Sequence, residues 1–222
     1  MATLYLVRHG QASFGADDYD QLSALGVQQS RQLGAYLRAR CMTFDTVLTG
    51  TLKRHAQTLA ALSEGLQNQL GATLWRNLNE YDSEAVIAAV HPEPLARPTT
   101  PELYRHHFRL LRQGLVAWMT GRTQPAGLPA WRDFQQGVVD VLTTLQHSDA
   151  QNVLLVSSGG PIACAIGHVL ATPPEATVEL NMRLRNTAVS EITCTPRHLA
   201  LNTYNTVAHL EGPEFSDCIT HA

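Results

Sequence analysis

Leu4-Tyr5-Leu6-Val7-Arg8-His9-Gly10 is a short apolar run that ends in a guanidinium, an imidazole and a glycine. The run reads as a core strand: no basic segment precedes it and no cleavage-site pattern follows it. Arg8 brings a permanent cation with planar N–H donors suited to an oxyanion. His9 brings a nitrogen that is neutral and nucleophilic near pH 7. Gly10 lets the chain turn sharply without a Cβ in the way. The alternative is an ordinary surface turn, so the rest of the chain has to decide between them.

A second run repeats the pattern. Asn152-Val153-Leu154-Leu155-Val156 is continuously apolar, as expected of a strand covered on both faces. It breaks into Ser157-Ser158-Gly159-Gly160-Pro161, and a helix begins at once with Ile162. Pro161 fits a first helical turn, where its missing N–H costs nothing. Between the two runs, strands and helices alternate. Ser23 is a candidate N-cap for a helix carrying Val27, Ser30, Leu33 and Leu37 on one face. Strands are expected at 44–48 and 73–75. A helix at about 51–65 turns Leu52, Ala56, Leu59 and Leu62 inward, and another runs from about 130 to 147. A strand pair at 187–195 and 199–204 closes the chain, and the tail after about 210 is expected to be ordered only if it docks. Residues 82–130 differ: two Pro-rich joints flank an amphipathic helix at about 101–120, which suits a lid.

This pattern predicts a three-layer α/β/α sandwich: a mainly parallel central sheet with a helical lid inserted at about 82–130, all in one domain over 1–222. Ligands in such sheets collect beyond the carboxyl ends of the strands. Arg8-His9 and Ser158-Gly159 both lie at such ends, so they face one another if their strands are neighbours.

Composition narrows the functional classes. The formal charge is −3, which gives no bulk attraction for nucleic acid. No apolar run is long enough to span a bilayer. Cys41, Cys164, Cys194 and Cys218 form no C-x-x-C pair, and free thiols in a cytoplasmic protein are expected. The ten histidines show no metal-ligand spacing, so no metal site is expected, and the scattered ones read as surface or packing residues. Arg97, Arg105, His106, His107, Arg109 and Arg112 make the inserted segment basic. They are expected to be a solvated helix face, with binding of a second acidic substrate group as the alternative. Trp118, Trp131 and Phe134 read as packing.

Arg54 lies in the first turn of the helix after residues 44–48. A cation there opposes the helix dipole, so Arg54 is either a solvated surface residue or a second guanidinium that closes, with Arg8, on a bound phosphate. With this third element the chain resembles the histidine phosphatase superfamily, which includes cofactor-dependent phosphoglycerate mutases and many phosphomonoesterases. The resemblance rests on Leu6-Val7-Arg8-His9-Gly10, Leu22-Ser23-x-x-Gly26-x-Gln28, Leu52-x-Arg54-x-x-x-Thr58, Leu78-Asn79-Glu80 and Val153 to Gly160.

The resemblance implies a metal-independent phosphomonoesterase of the histidine acid phosphatase type, needing no cofactor and acting on a small phosphate monoester. His9 would be the nucleophile, Glu80 the proton donor with Asp82 as fallback, and Arg8, Arg54, Ser158 and Gly159 the phosphate binders. Two departures stand out. Ser158 occupies the place of the family's second histidine in a Ser-His-Gly pattern, and Gly15 that of an asparagine in the mutases. These argue against a mutase. They leave a phosphatase with an altered pocket, and as alternatives a phosphate-ester-binding protein with little or no catalysis or a mutase-like phosphotransferase.

Overall fold

The computed structural model describes residues 1–13, 20–95 and 99–221. Gly15 and Arg97 lie outside them. Six strands form one sheet: β1 (Ala2–Arg8), β2 (Thr46–Thr49), β3 (Thr73–Leu74), β4 (Asn152–Ser157), β5 (Val189–Thr195) and β6 (His198–Thr206). Their order across the sheet is β3-β2-β4-β1-β5-β6. β1, β2, β3 and β4 are mutually parallel, and β5 runs antiparallel to both β1 and β6.

Alternation along the strands builds the layers. Leu4, Leu6, Leu48, Val153, Leu155 and Ile192 face α5 (Trp131–Gln146) and α6 (Gly159–Leu170). Val7, Val47, Leu154, Val156 and Val189 face α1 (Ala24–Ala39) and α2 (Lys53–Leu66). Each fully buried leucine stabilises the fold by roughly 1.5–3 kcal/mol. The expected α/β/α sandwich is present, with β4 covered on both faces.

α1 and α2 cross with backbones in contact. A Cβ on Gly34 would lie 2.0 Å from the Leu62 carbonyl oxygen, and one on Gly65 would lie 2.0 Å from that of Arg31. Only glycine fits at either position.

Several expectations change. Ser23 does cap α1, its side chain accepting from the Gly26 N–H. Ala56 is exposed: the inner face of α2 is instead Arg54, His55, Thr58, Leu59, Leu62 and Leu66. The polar residues at the start of that face serve the sheet end, which apolar periodicity does not report. β3 has only two residues and leads into a 3-10 turn at Arg76–Leu78. α3 (Ser83–Ala88) opens the inserted segment, and one helix was not anticipated, α7 (Pro174–Arg183). α4 (Pro101–Met119) lies where the amphipathic helix was expected, and packs with α3 and α7 around Trp118, which is 1 % exposed. Trp118, Trp131 and Phe134 form one aromatic cluster, so they are packing residues as expected. Arg105, Arg109 and Arg112 pair with Glu102, His106 and Glu179 at the surface.

The tail docks on α1. Gln29 donates to the Cys218 carbonyl at 2.6 Å and to Thr220 Oγ1 at 2.8 Å. Among the described residues, no helix is long and apolar enough to cross a membrane.

Candidate active site

β1 and β4 are adjacent and in register, Arg8 opposite Ser157, so their two C-terminal turns do meet. The His9 N–H donates to the Ser157 carbonyl at 2.9 Å. The Ser157 hydroxyl donates to the Leu78 carbonyl at 2.7 Å. That bond ties the segment carrying Glu80 to the same sheet end.

His9 is held by its surroundings. Its Nδ1 lies 2.7 Å from the Gly10 carbonyl, which can only accept. Nδ1 therefore carries the proton, and Nε2 keeps its lone pair. The His9 carbonyl accepts from Thr187 N and Asn186 Nδ2, both at 3.3 Å. Thr187 has φ +55°, unusual for a β-branched residue. Its hydroxyl pairs with His209 Nε2 at 2.8 Å, which holds this backbone in place. Gly10 is required: a Cβ would lie 2.4 Å from the Gly26 carbonyl oxygen. Its N–H donates to Thr58 Oγ1 at 3.0 Å, and Thr58 in turn donates to the Arg54 carbonyl. The spacing from Arg54 to Thr58 is thus one helical turn that clamps the His9 loop to α2.

Burial pushes the His9 imidazole well below its ordinary pKa, and the charges of Arg8 and Arg54 and the neighbouring His55 push it further. Burial pushes the Glu80 carboxyl up, against the Gly160 N–H and the charges of Arg54 and Arg8. The same two guanidiniums thus act on both His9 and Glu80. Both Glu80 oxygens lie 3.1 Å from the Gly160 amide nitrogen at the start of α6. Asp82, the fallback proton donor, is committed elsewhere: it caps α3 by accepting from the Glu84 and Ala85 N–H groups.

Arg8 Nη1 donates to the Leu184 carbonyl. Arg54 Nη1 lies 2.8 Å from Asp20 Oδ1, and Asp20 Oδ2 also accepts the Lys53 N–H. Gly159 abuts Asn181, whose Nδ2 donates to the Tyr81 hydroxyl. Ser158 is fully buried, and its hydroxyl lies 2.7 Å from His55 Nε2. All six predicted residues therefore gather at one end of the sheet.

Sequence reasoning missed Asp20, Asn181 and above all His55. His55 is one of the scattered histidines read as surface or packing residues; it is fully buried, with its ring 5.8 Å from that of His9. The available signal was its place directly after Arg54.

A cavity of about 840 Å³ lies elsewhere. It is lined by residues that include Trp118, Arg122, Trp131, Arg132, Cys164 and Thr177, and by none of the predicted site residues. No cluster of three or more metal-ligating side chains occurs among the described residues.

A model of the histidine phosphatase superfamily, branch 1, matches residues 4–207. The chain belongs to that superfamily. Solved phosphatase structures share its fold at low sequence identity. Phosphoserine phosphatase from Entamoeba histolytica, in complex with phosphoserine, superposes with a TM-score of 0.65 at 17 % identity, covering 95 % of this chain and 100 % of that one. The α-ribazole phosphatase from Shigella flexneri gives 0.66 at 22 % identity, covering 93 % and 97 %. A mycobacterial glucosyl-3-phosphoglycerate phosphatase gives 0.64 at 20 % identity, covering 93 % and 99 %. No curated protein sequence matches the chain.

Proposed function

We propose that this histidine phosphatase hydrolyses small phosphate monoesters through a phosphohistidine. The observation that carries the reading is the His9 side chain: neutral, fixed by its Nδ1–H bond to Gly10, and acted on by the charges of two guanidiniums.

In the first step His9 Nε2 bonds to phosphorus as the ester P–O bond breaks. Glu80 gives its proton to the departing alkoxide, and its raised pKa suits it to carry one. Arg8 and Arg54 offset the charge that grows on the equatorial oxygens. The Gly10 carbonyl steadies the Nδ1–H as the ring becomes cationic. In the second step the Glu80 carboxylate takes a proton from water, the water oxygen bonds to phosphorus and the P–N bond breaks. Phosphate leaves, and His9 and Glu80 return to their starting states. The guanidiniums supply the charge, so the proposed reaction uses neither metal nor cofactor. Residues 82–130, with α3 and α4, form the proposed lid of a single domain and set the choice of alcohol.

The test is a panel of monoesters assayed with chelator present, including phosphoserine, α-ribazole 5′-phosphate and glucosyl-3-phosphoglycerate, for wild type and His9→Ala. Phosphate release by wild type and its loss in the variant are expected. Activity that survives the substitution rejects His9 as nucleophile. Phosphate binding without turnover of any ester replaces the enzyme with a binding protein. Phosphoryl exchange without release replaces it with a transferase.

A further inference from the structure

His55 and Ser158 form a pair that the reaction described above leaves unused. Both are fully buried, with Nε2 and Oγ 2.7 Å apart. His55 comes from α2 and Ser158 from the turn between β4 and α6. Ser158 stands at the N-cap position of α6, yet its hydroxyl makes no capping bond there and turns to His55 instead.

The other ring nitrogen fixes the direction of this bond. His55 Nδ1 is buried with no hydrogen-bond partner among the described residues. Gly50 lies against it so closely that a Cβ there would come within 2.2 Å of Nδ1. A proton on Nδ1 would be a buried donor without an acceptor, the costlier kind of unsatisfied group. The ring is also neutral. Burial, with Arg54 beside it, holds its pKa down to about 3. The charged and titratable groups that act on it are Arg54 on α2 and His9 at the end of β1. Its single proton therefore sits on Nε2 and is donated to Ser158 Oγ. The serine oxygen is occupied as an acceptor, and its own proton is free for another partner.

We propose that His55 is a positioning residue that orients the Ser158 hydroxyl as a donor to a phosphoryl oxygen of the substrate. An imidazole thus serves the glycine turn from α2, through a serine, rather than standing in the turn itself. The inference rests on the site binding a phosphate ester, as proposed above.

A double-mutant cycle on the full chain tests it, with inorganic phosphate and orthovanadate as competitive inhibitors of wild type, Ser158→Ala, His55→Leu, His55→Gln and Ser158→Ala/His55→Leu. Ser158→Ala is expected to weaken both anions about 10-fold, the loss of one hydrogen bond to a charged group. His55→Leu should weaken them by a similar factor alone and by nothing further in the Ser158→Ala background. His55→Gln places an amide N–H near Nε2 and should keep affinity within about 2-fold of wild type. Thermal unfolding of each variant separates lost affinity from lost fold. If His55→Leu does not fold, the comparison of Ser158→Ala with wild type and His55→Gln decides. Anion affinity unchanged by Ser158→Ala, additive losses, or failure of His55→Gln to retain affinity overturns the relay, while leaving the phosphatase reading intact if wild type still turns over esters. A wild type that neither binds these anions nor hydrolyses esters removes both.

Discussion

Both carboxylate oxygens of Glu80 share one donor, the amide N–H of Gly160. The proposed proton donor is thereby seated on the N-terminus of α6. Glu80→Gln should lower kcat by about 10²–10⁴-fold on alkyl phosphates, whose leaving group needs a proton. Aryl phosphates with acidic phenols should suffer far less. Gly160→Ala should show the same dependence on leaving group, because its methyl would lie 2.2 Å from Glu80 Oε1 and 2.4 Å from the Tyr81 ring. Equal losses on both ester classes would contradict the assignment.

Asp20 holds Arg54, the guanidinium proposed to bind the phosphate ester. Its carboxylate is 2.8 Å from Nη1, and its side chain is about a third exposed. Asp20→Asn keeps an oxygen for the Lys53 N–H and removes the charge. Inorganic phosphate should then inhibit about 5-fold more strongly, in line with roughly 1 kcal/mol for a partly exposed ion pair. Weaker or unchanged inhibition would assign Asp20 a supporting role instead.

Thr58 is a structural clamp for the His9 loop. Thr58→Val preserves its shape but strands the Gly10 N–H and removes the bond to the Arg54 carbonyl. The cost should be about 1–3 kcal/mol in urea unfolding. A variant as stable as wild type would show that the loop finds another acceptor.

Acid should unfold the protein early. His9, His55 and His209 all have lowered pKa values in the fold, at about 3 for His55 and about 4 for His209. The unfolded chain takes up these protons below about pH 6.5 while the folded one does not, so stability falls as pH drops from there toward 4. Each such proton contributes about 1.4 kcal/mol per pH unit. Glu80 works the other way: its raised pKa favours the fold as pH falls through its folded value. With His107 and His221 also lowered, five histidines against one carboxyl leave a net loss. Urea midpoints that stay level from pH 7 to 4.5 would refute it.

Much of this was legible in the chain. The strand at 152–157, the capped helix after Ser23 and the antiparallel pair at the end follow from local patterns with local causes. So does the meeting of the two glycine turns once β1 and β4 are neighbours. What stayed hidden depends on contacts distant in sequence. His55 follows Arg54 directly, but its burial is set by Ser158, 103 residues away. Asp20 reaches Arg54 from a loop without periodicity. α7 is short and polar, and only Thr177 and Val178 are buried in it. Ala56 was misplaced because the start of α2 is shaped by the site rather than by the core.

The glycine crossing of α1 over α2 bears on how this scaffold can diversify. With carbonyls pressed against Cα atoms at Gly34 and Gly65, the two helices cannot slide without a steric collision. The α1–α2 layer behind the His9 loop is therefore cast as a single rigid block. Laboratory evolution toward new alcohols should find its tolerated changes in α3, α4 and their joints, and meet lethality along this seam.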